Sequence, residues 1–348
     1  MRILYLGASD GTCLDRANAL RRIGHDVTHL SLRTLLPESV WIDRFIWRLG
    51  AESLAPWLKN GLSKRLRGER FDVVYVDNGD QVSPAVLRLL RSHAPHVVSY
   101  TIDDPFGGRD GRRFAAFRSA VPDYDLLVVP REQNVDEARA LGARRVLRVH
   151  MTADEVQHAP RPMSENEVAT WGCEVLFIGT WMPERGPLLA KLLSLGVPLS
   201  VRGSHWQRAP EWPLLAQAYV GGPVFGDDYA RAIQGARVSL GLLSKGNRDL
   251  HTTRSLEIPA LGGLLCAQRT SEHVAMYDDG HEAVFWSDLE ECAHRCKQLL
   301  ADEPHRKAIA AAGSSRVRRN GHFNEPMLRS VIEALTLASV PLAMVGHS

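Results

Sequence analysis

Arg2-Ile3-Leu4-Tyr5-Leu6-Gly7-Ala8-Ser9-Asp10-Gly11 is an apolar run that ends in small and polar residues. A helical pattern through Ala17, Leu20 and Ile23 follows it and closes at Gly24, and Val27–Leu30 begins the next apolar run. Runs that are apolar on both faces and separated by an amphipathic helix predict parallel strands covered on both sides. Phe71–Val76, Val97–Thr101 and Leu126–Val129 repeat the pattern, with helical segments between them. The expected class is therefore α/β with a doubly wound sheet.

Outward from this first half, the composition changes after Val149. His150–Thr170 carries Pro160, Pro162 and acidic residues without periodicity and reads as a linker. Strand–helix alternation restarts with Glu174–Ile178, a helix through Leu188–Leu195, and strands at Leu199–Val201, Val238–Leu242, Leu264–Ala267 and Ala283–Trp286. Three helical segments broken at Pro304 and Pro326 end the pattern near Leu337. The expected division is 1–150, a linker over 151–173, a second α/β domain over 174–320, and a C-terminal helix over 321–348 that returns to the first domain. Two such halves are expected to face a central cleft at the carboxyl ends of their sheets, where doubly wound folds bind ligands.

Length and charge narrow the class. A chain of 348 residues, 45% hydrophobic and 24% charged, suits two globular domains. The balance of 42 basic and 40 acidic side chains excludes a polybasic nucleic-acid binder and an acidic disordered chain, so no nucleic-acid partner is expected. The opening apolar run is too short for a signal sequence or membrane span, and the five cysteines are odd in number, which predicts reduced thiols and a cytoplasmic location. Cys292 and Cys296 flank His294, but a helix turns that histidine away from both sulfurs, so packing is expected there and no metal.

Three loops hold candidate chemistry. Gly7-x-x-x-Gly11 lacks the G-x-G-x-x-G spacing, and no acidic residue stands at the tip of the second strand to hold a nicotinamide ribose, so it is either an approach for a ligand or a tight turn. Phe177-Ile178-Gly179-Thr180 leads through Pro183 to Arg185 in the first turn of a helix. The dipole disfavours an arginine there unless an anion neutralises it. In His251-Thr252-Thr253-Arg254-Ser255-Leu256-Glu257, either threonine can cap a helix whose first turn holds Arg254 and Glu257. The carboxylate either completes a capping box or accepts the hydroxyls of a ribose.

These last two loops, with Ile258-Pro259-Ala260-x-Gly262-Gly263, resemble the nucleotide-sugar glycosyltransferases of the GT-B fold, and in particular the CgeB-like, spore-maturation-type branch. Leu141-Gly142-Ala143, Ala153-Asp154-x-x-x-His158-x-Pro160 and Leu20-Arg-Arg-Ile-Gly24-His25-Asp-Val27 are further points of similarity. The resemblance implies a metal-independent hexosyl transfer with no cofactor beyond the nucleotide-sugar co-substrate. It implies donor diphosphate contacts at Arg185, Thr180, Thr252, Thr253, Arg254 and His251, a ribose contact at Glu257, and nucleobase packing on Pro223, Val224 and Phe225. Thr180 stands where relatives carry a second phosphate arginine, and Leu250 stands where retaining relatives carry a glutamate. Nucleobase, sugar, acceptor and stereochemical outcome stay open.

The first half supplies the acceptor side. Tyr100-Thr101-Ile102-Asp103-Asp104-Pro105 puts paired carboxylates at the end of a buried strand, where like charges raise one pKa and suit a general base; the same residues also suit a turn and a helix cap. Asp10 is the second candidate, with Asp77 and Asp80 behind it. Trp41, Phe45, Ile46, Trp47, Trp57 and Leu58 precede Lys59, Lys64, Arg65, Arg67 and Arg70. That stretch, 41–70, is either a helix pair with a solvated basic end or a peripheral membrane contact. Within enzymes the other reading is a nucleotide-sugar epimerase, and outside them a non-catalytic nucleotide-sugar binder.

Overall fold

The computed structural model describes residues 1–337 and divides the chain into two units. The first comprises Met1–His150, the three residues Gly246–Arg248, and the described residues from Asn324; the second comprises Met151–Lys245 and Asp249–Phe323. Positions 338–348 of the expected C-terminal helix lie outside the described residues.

The first unit is a six-stranded parallel sheet in the order β2-β1-β3-β4-β5-β6. Its strands are β1 (Arg2–Leu6), β2 (Asp26–Leu30), β3 (Val73–Asp77), β4 (His96–Tyr100), β5 (Leu126–Val129) and β6 (Val146–Arg148). Alternation along β1 explains its continuous apolar run. Leu4 and Leu6 enter one core with Val74, Val76 and Leu127, while Ile3 and Tyr5 enter another with Val73, Tyr75 and Val98. Each face is covered, as parallel sheets require. The helix Asn324–Leu337 supplies one of these covers. Met327, Leu328, Val331 and Leu335 recur at helical spacing and pack with Ile3, Tyr5, Ala17 and Leu20, and Arg22 Nε donates to Glu325 at 2.7 Å.

The second unit repeats the architecture in the order β12-β11-β10-β7-β8-β9. Its strands are β7 (Cys173–Ile178), β8 (Leu199–Arg202), β9 (Tyr219–Gly221), β10 (Ala236–Gly241), β11 (Leu265–Gln268) and β12 (Val284–Trp286). Every pairing in both sheets is parallel. The strand order reverses direction between β1 and β3 in the first sheet and between β7 and β10 in the second. A crevice opens at such a switch point, beyond the carboxyl ends of the strands.

Two expectations need correction. Residues 151–173 are not a featureless linker but an ordered part of the second unit. Met151 and Ala153 are buried, the Ala153 N–H donates to the His322 carbonyl at 3.1 Å, and Asp154 Oδ1 accepts from the N–H groups of Val156 and Gln157. Ser164 and Glu167 form a reciprocal capping box on the helix Glu165–Trp171. The prolines and acids that broke the periodicity are turn and cap residues. β6 and β9 also escaped the sequence pattern, because each is a three-residue edge strand with no fully buried residue.

Candidate functional site

In the second unit, Gly179 follows β7 and the helix Arg185–Ser194 begins at the anticipated arginine. Arg185 Nη1 donates to the Thr180 carbonyl at 2.9 Å, and its guanidinium lies 5.5 Å from the centre of the Phe177 ring. Trp206, buried against Phe177, donates Nε1–H to the Gly179 carbonyl at 2.9 Å and fixes the turn from behind. Gly203 has a φ of 141°, and a Cβ there would lie 2.0 Å from the Gly179 carbonyl oxygen, so this crossing of loops demands glycine.

Across the switch point, β10 leads to the helix Arg254–Ala260. Neither threonine caps it by side chain. Instead Ser255 Oγ accepts the Thr252 N–H at 3.1 Å and donates to His273 Nε2 at 2.8 Å, while His273 Nδ1–H donates to the Gln268 carbonyl at 2.6 Å. The carbonyl can only accept, which fixes the neutral tautomer. Burial pushes the His273 imidazole down to about 4, with the neighbouring His251 adding to the effect.

Glu257 points inward rather than closing a capping box. It accepts from the Tyr229 hydroxyl at 2.6 Å, with His158 Nε2 3.8 Å away and Arg254 Nη1 4.0 Å away. Burial pushes its carboxyl up, but His158, Arg254 and the Tyr229 hydroxyl hold it below the ordinary value. Arg254 lies 5.7 Å from the Tyr229 ring centre, donates Nη1–H to Thr253 Oγ1 at 3.3 Å, and leaves its Nε without a hydrogen-bond partner. Thr180 is exposed, as are Pro223 and Phe225, the latter at 76%; Val224 is half-buried.

His251 does not face a ligand. Its Nε2 accepts the Met151 N–H at 2.9 Å, its Nδ1 meets the Glu272 carboxylate, and the ring is buried. With both nitrogens committed it ties the loop to residue 151, which corrects the expectation of a phosphate contact. A cavity of about 320 Å³ at the carboxyl ends of β10, β11 and β12 is lined by Arg185, Lys245, Gln268 and Trp286. The position of Lys245 after β10 was a legible signal for this second cation.

In the first unit a cavity of about 310 Å³ sits at the ends of β1 to β4, bounded by Gly7, Ser31, Asp80 and Asp103 among others. The paired aspartates part company here. Asp103 lies on the cavity wall and accepts from Arg113 Nη1 at 3.0 Å. Asp104 is buried and saturated: its oxygens accept from Arg248 Nε (2.5 Å) and Nη2 (2.9 Å), from Asn134 Nδ2, and from the N–H groups of Phe106 and Gly107. Burial pushes its carboxyl up, but the Arg248 and backbone hydrogen bonds outweigh this and hold it low. Asp104 is therefore a structural anchor, correcting its candidacy as a base. It binds the segment Gly246–Arg248, in which a Cβ on Gly246 would meet Arg109 Cδ at 2.4 Å. Asp10 is exposed at the start of the helix Gly11–Arg22 and does not line the cavity.

The carboxyl that burial does raise is Asp80, in spite of Arg113 Nε at 3.1 Å and with the Asp103 charge adding to the rise. Asp77 is buried in an ion pair with Arg16. Sequence spacing gave no sign of Arg113, which reaches these carboxylates from a turn between β4 and β5.

Among the described residues the one grouping of metal-ligating side chains is Cys266, Cys292 and Cys296, whose sulfurs lie within 4.8 Å of one another. Cys266 comes from β11, which spacing within one helix could not reveal. All three are buried in the apolar core of the second unit. No helix among the described residues is long and apolar enough to cross a membrane.

Residues 185–332 match a family model described as glycosyl transferase-like. No curated protein matches the chain at a significant level. Among solved structures, sucrose-phosphate synthase from Thermosynechococcus elongatus is similar with a TM-score of 0.69 at 11% identity, covering 97% of this chain and 99% of that one. HepE from Anabaena, in complex with UDP-glucose, has a TM-score of 0.66 at 12% identity, covering 98% and 100%. An α,α-trehalose-phosphate synthase from Burkholderia xenovorans, in complex with glucose-6-phosphate, has a TM-score of 0.64 at 13% identity, covering 97% and 100%. The two six-stranded parallel sheets with their helices are those of the GT-B fold.

Proposed function

We infer that the protein is a glycosyltransferase that moves a sugar from a nucleotide-sugar donor to an acceptor, with the donor on the second unit and the acceptor on the first. One observation carries this reading. Arg185 and Arg254 each occupy the first helical position after β7 and β10, the two strands that flank the switch point of the second sheet. A helix start and the guanidinium beside it both favour an anion, and the crevice beyond a switch point is where one binds. Both arginines lie in the stretch that matches the glycosyl transferase-like family.

The donor diphosphate sits against Arg185 and Arg254 with Thr252, Thr253 and Thr180 beside it. The ribose hydroxyls donate to Glu257, and the nucleobase packs on the exposed Phe225 with Pro223 and Val224. As the acceptor oxygen bonds to the sugar C1, the bond from C1 to the diphosphate breaks and its electron pair leaves on the phosphate. The two guanidiniums stabilise that charge where it develops, which is the service a divalent ion gives elsewhere, so no metal is required. Asp103, on the wall of the acceptor cavity, takes the acceptor proton. The exposed Trp41 and Trp57, at 75% and 62%, stand near exposed Arg44 and Lys59 and support peripheral membrane contact through 41–70.

Thermal shifts with UDP, GDP, dTDP and CDP test the donor site. At least one nucleotide should raise the melting temperature of the wild type, and Arg185→Ala should weaken that nucleotide about 10-fold or more while leaving the ligand-free melt in place. Asp103→Asn should keep nucleotide binding and lose transfer. Equal nucleotide binding by Arg185→Ala defeats the donor assignment, and undiminished turnover by Asp103→Asn removes it as the base.

A further inference from the structure

The first-unit cavity has a chemical bias. Arg33 is the one cation among its lining residues, and its fork is spent: Nε and Nη2 donate to Asp43 at 2.6 and 3.3 Å, and Nη1 donates to the Pro37 carbonyl at 2.9 Å. Arg16, behind the wall, is held by Asp77 at 2.7 Å. Arg113 is shared among Asp80, Asp103 and Asp110 at 3.0 to 3.2 Å, with its guanidinium 4.7 Å from the Trp47 and Phe114 ring centres. Even counting Arg109, 3.7 Å from Asp110, carboxylates outnumber guanidiniums in this cluster.

Carboxylates dominate the charged groups of the wall. Asp80 and Asp103 line the cavity beside Asn78 and Gln81, and Asp77 stands at its back. The left-handed backbone at Asn78 and Gly79, with φ of 75° and 74°, turns the chain after β3 so that Asn78–Val82 runs along this wall. An ionised carboxylate accepts hydrogen bonds and cannot donate them, so a ligand that meets Asp103 and Asp80 supplies the hydrogens.

We propose that the acceptor is an uncharged polyhydroxyl compound that carries no phosphate on the part entering this cavity, a substrate class that rests on the acceptor assignment above. Hydroxyl groups donate to the carboxylates of Asp103 and Asp80, and one of them is the nucleophile. A phosphate brings more acceptors and more negative charge to a wall already rich in both, and finds no uncommitted lining guanidinium among the described residues.

Matched pairs decide the matter: glucose against glucose 6-phosphate, glycerol against glycerol 3-phosphate, and myo-inositol against its monophosphate, each titrated into the full-length protein and followed by saturation-transfer NMR. The expected result is that at least one neutral member binds, about tenfold or more tighter than its phosphate. Asp103→Asn, at a partly exposed position, should narrow that ratio by easing the repulsion. Phosphates binding as well as their neutral partners, or no neutral member binding, overturns the proposal. Nucleotide shifts on the same protein separate the two levels. Nucleotide stabilisation with a preference for phosphorylated sugars refutes the acceptor class alone, whereas failure of every nucleotide refutes the transferase reading and this proposal with it.

Discussion

Arg16 reaches Asp77 from the helix Gly11–Arg22, and the pair is almost entirely removed from water. Nε and Nη2 donate to the two carboxylate oxygens at 2.7 and 3.1 Å, the Tyr5 hydroxyl donates to the same group, and the guanidinium lies 4.7 Å from the Tyr100 ring centre. Such a pair is expensive to halve, because the partner left behind keeps a desolvated charge. Arg16→Met is expected to cost about 3–5 kcal/mol in urea unfolding, whereas the Arg16→Met/Asp77→Leu double variant should recover much of it. Residue type alone could not tell Asp77, an anchor, from Asp103, on an open wall. Both stand at strand ends in similar local sequence, and only their neighbours in space separate them.

The turn before the helix Arg254–Ala260 is held by a relay in which the Thr252 N–H, the Ser255 hydroxyl, His273 and the Gln268 carbonyl follow one another. The imidazole must stay neutral for the relay to exist, because its Nε2 has to accept. Its folded pKa of about 4 lies below the ordinary 6.5, so between these values the unfolded chain binds the proton and the folded one does not. Stability therefore rises with pH across this window and falls on acidification. By pH 5 the loss from this group is about 2 kcal/mol. Urea midpoints at pH 7 and pH 5 should show a steeper loss for the wild type than for His273→Gln; equal slopes would remove the histidine as the cause. The same element was half legible in sequence. The spacing of Arg254 and Glu257 placed the helix correctly, but the turn before it is held by Ser255 and a histidine 18 residues further on.

Each unit has its own core, but the first is not contiguous in the chain. Met327, Leu328, Val331 and Leu335 are buried at 6% exposure or less in the cover over β1 and β3. Each contributes about 1.5–3 kcal/mol, in total comparable to the net stability of a domain. A fragment of residues 1–150 is therefore expected to expose this face, to bind a hydrophobic dye and to lack a cooperative melt. Adding the peptide 324–337 in trans should diminish the dye signal. A fragment that melts as sharply as the full-length chain would show that the C-terminal helix is dispensable.

The sequence by itself determined the α/β class, nearly all of the strands and the placement of Arg185 and Arg254 at helix starts, because two-faced apolar runs, helical periodicity and the dipole are local physics. It also supplied a resemblance strong enough to name a reaction. Tertiary structure decided which polar groups are spent and which are open. Asp104 and His251 are saturated by partners at residues 248, 134, 151 and 272, while Asp80 is gathered beside Asp103 by Arg113. Burial and hydrogen-bond satisfaction are properties of neighbours brought together by the fold, and spacing along the chain carries no measure of either.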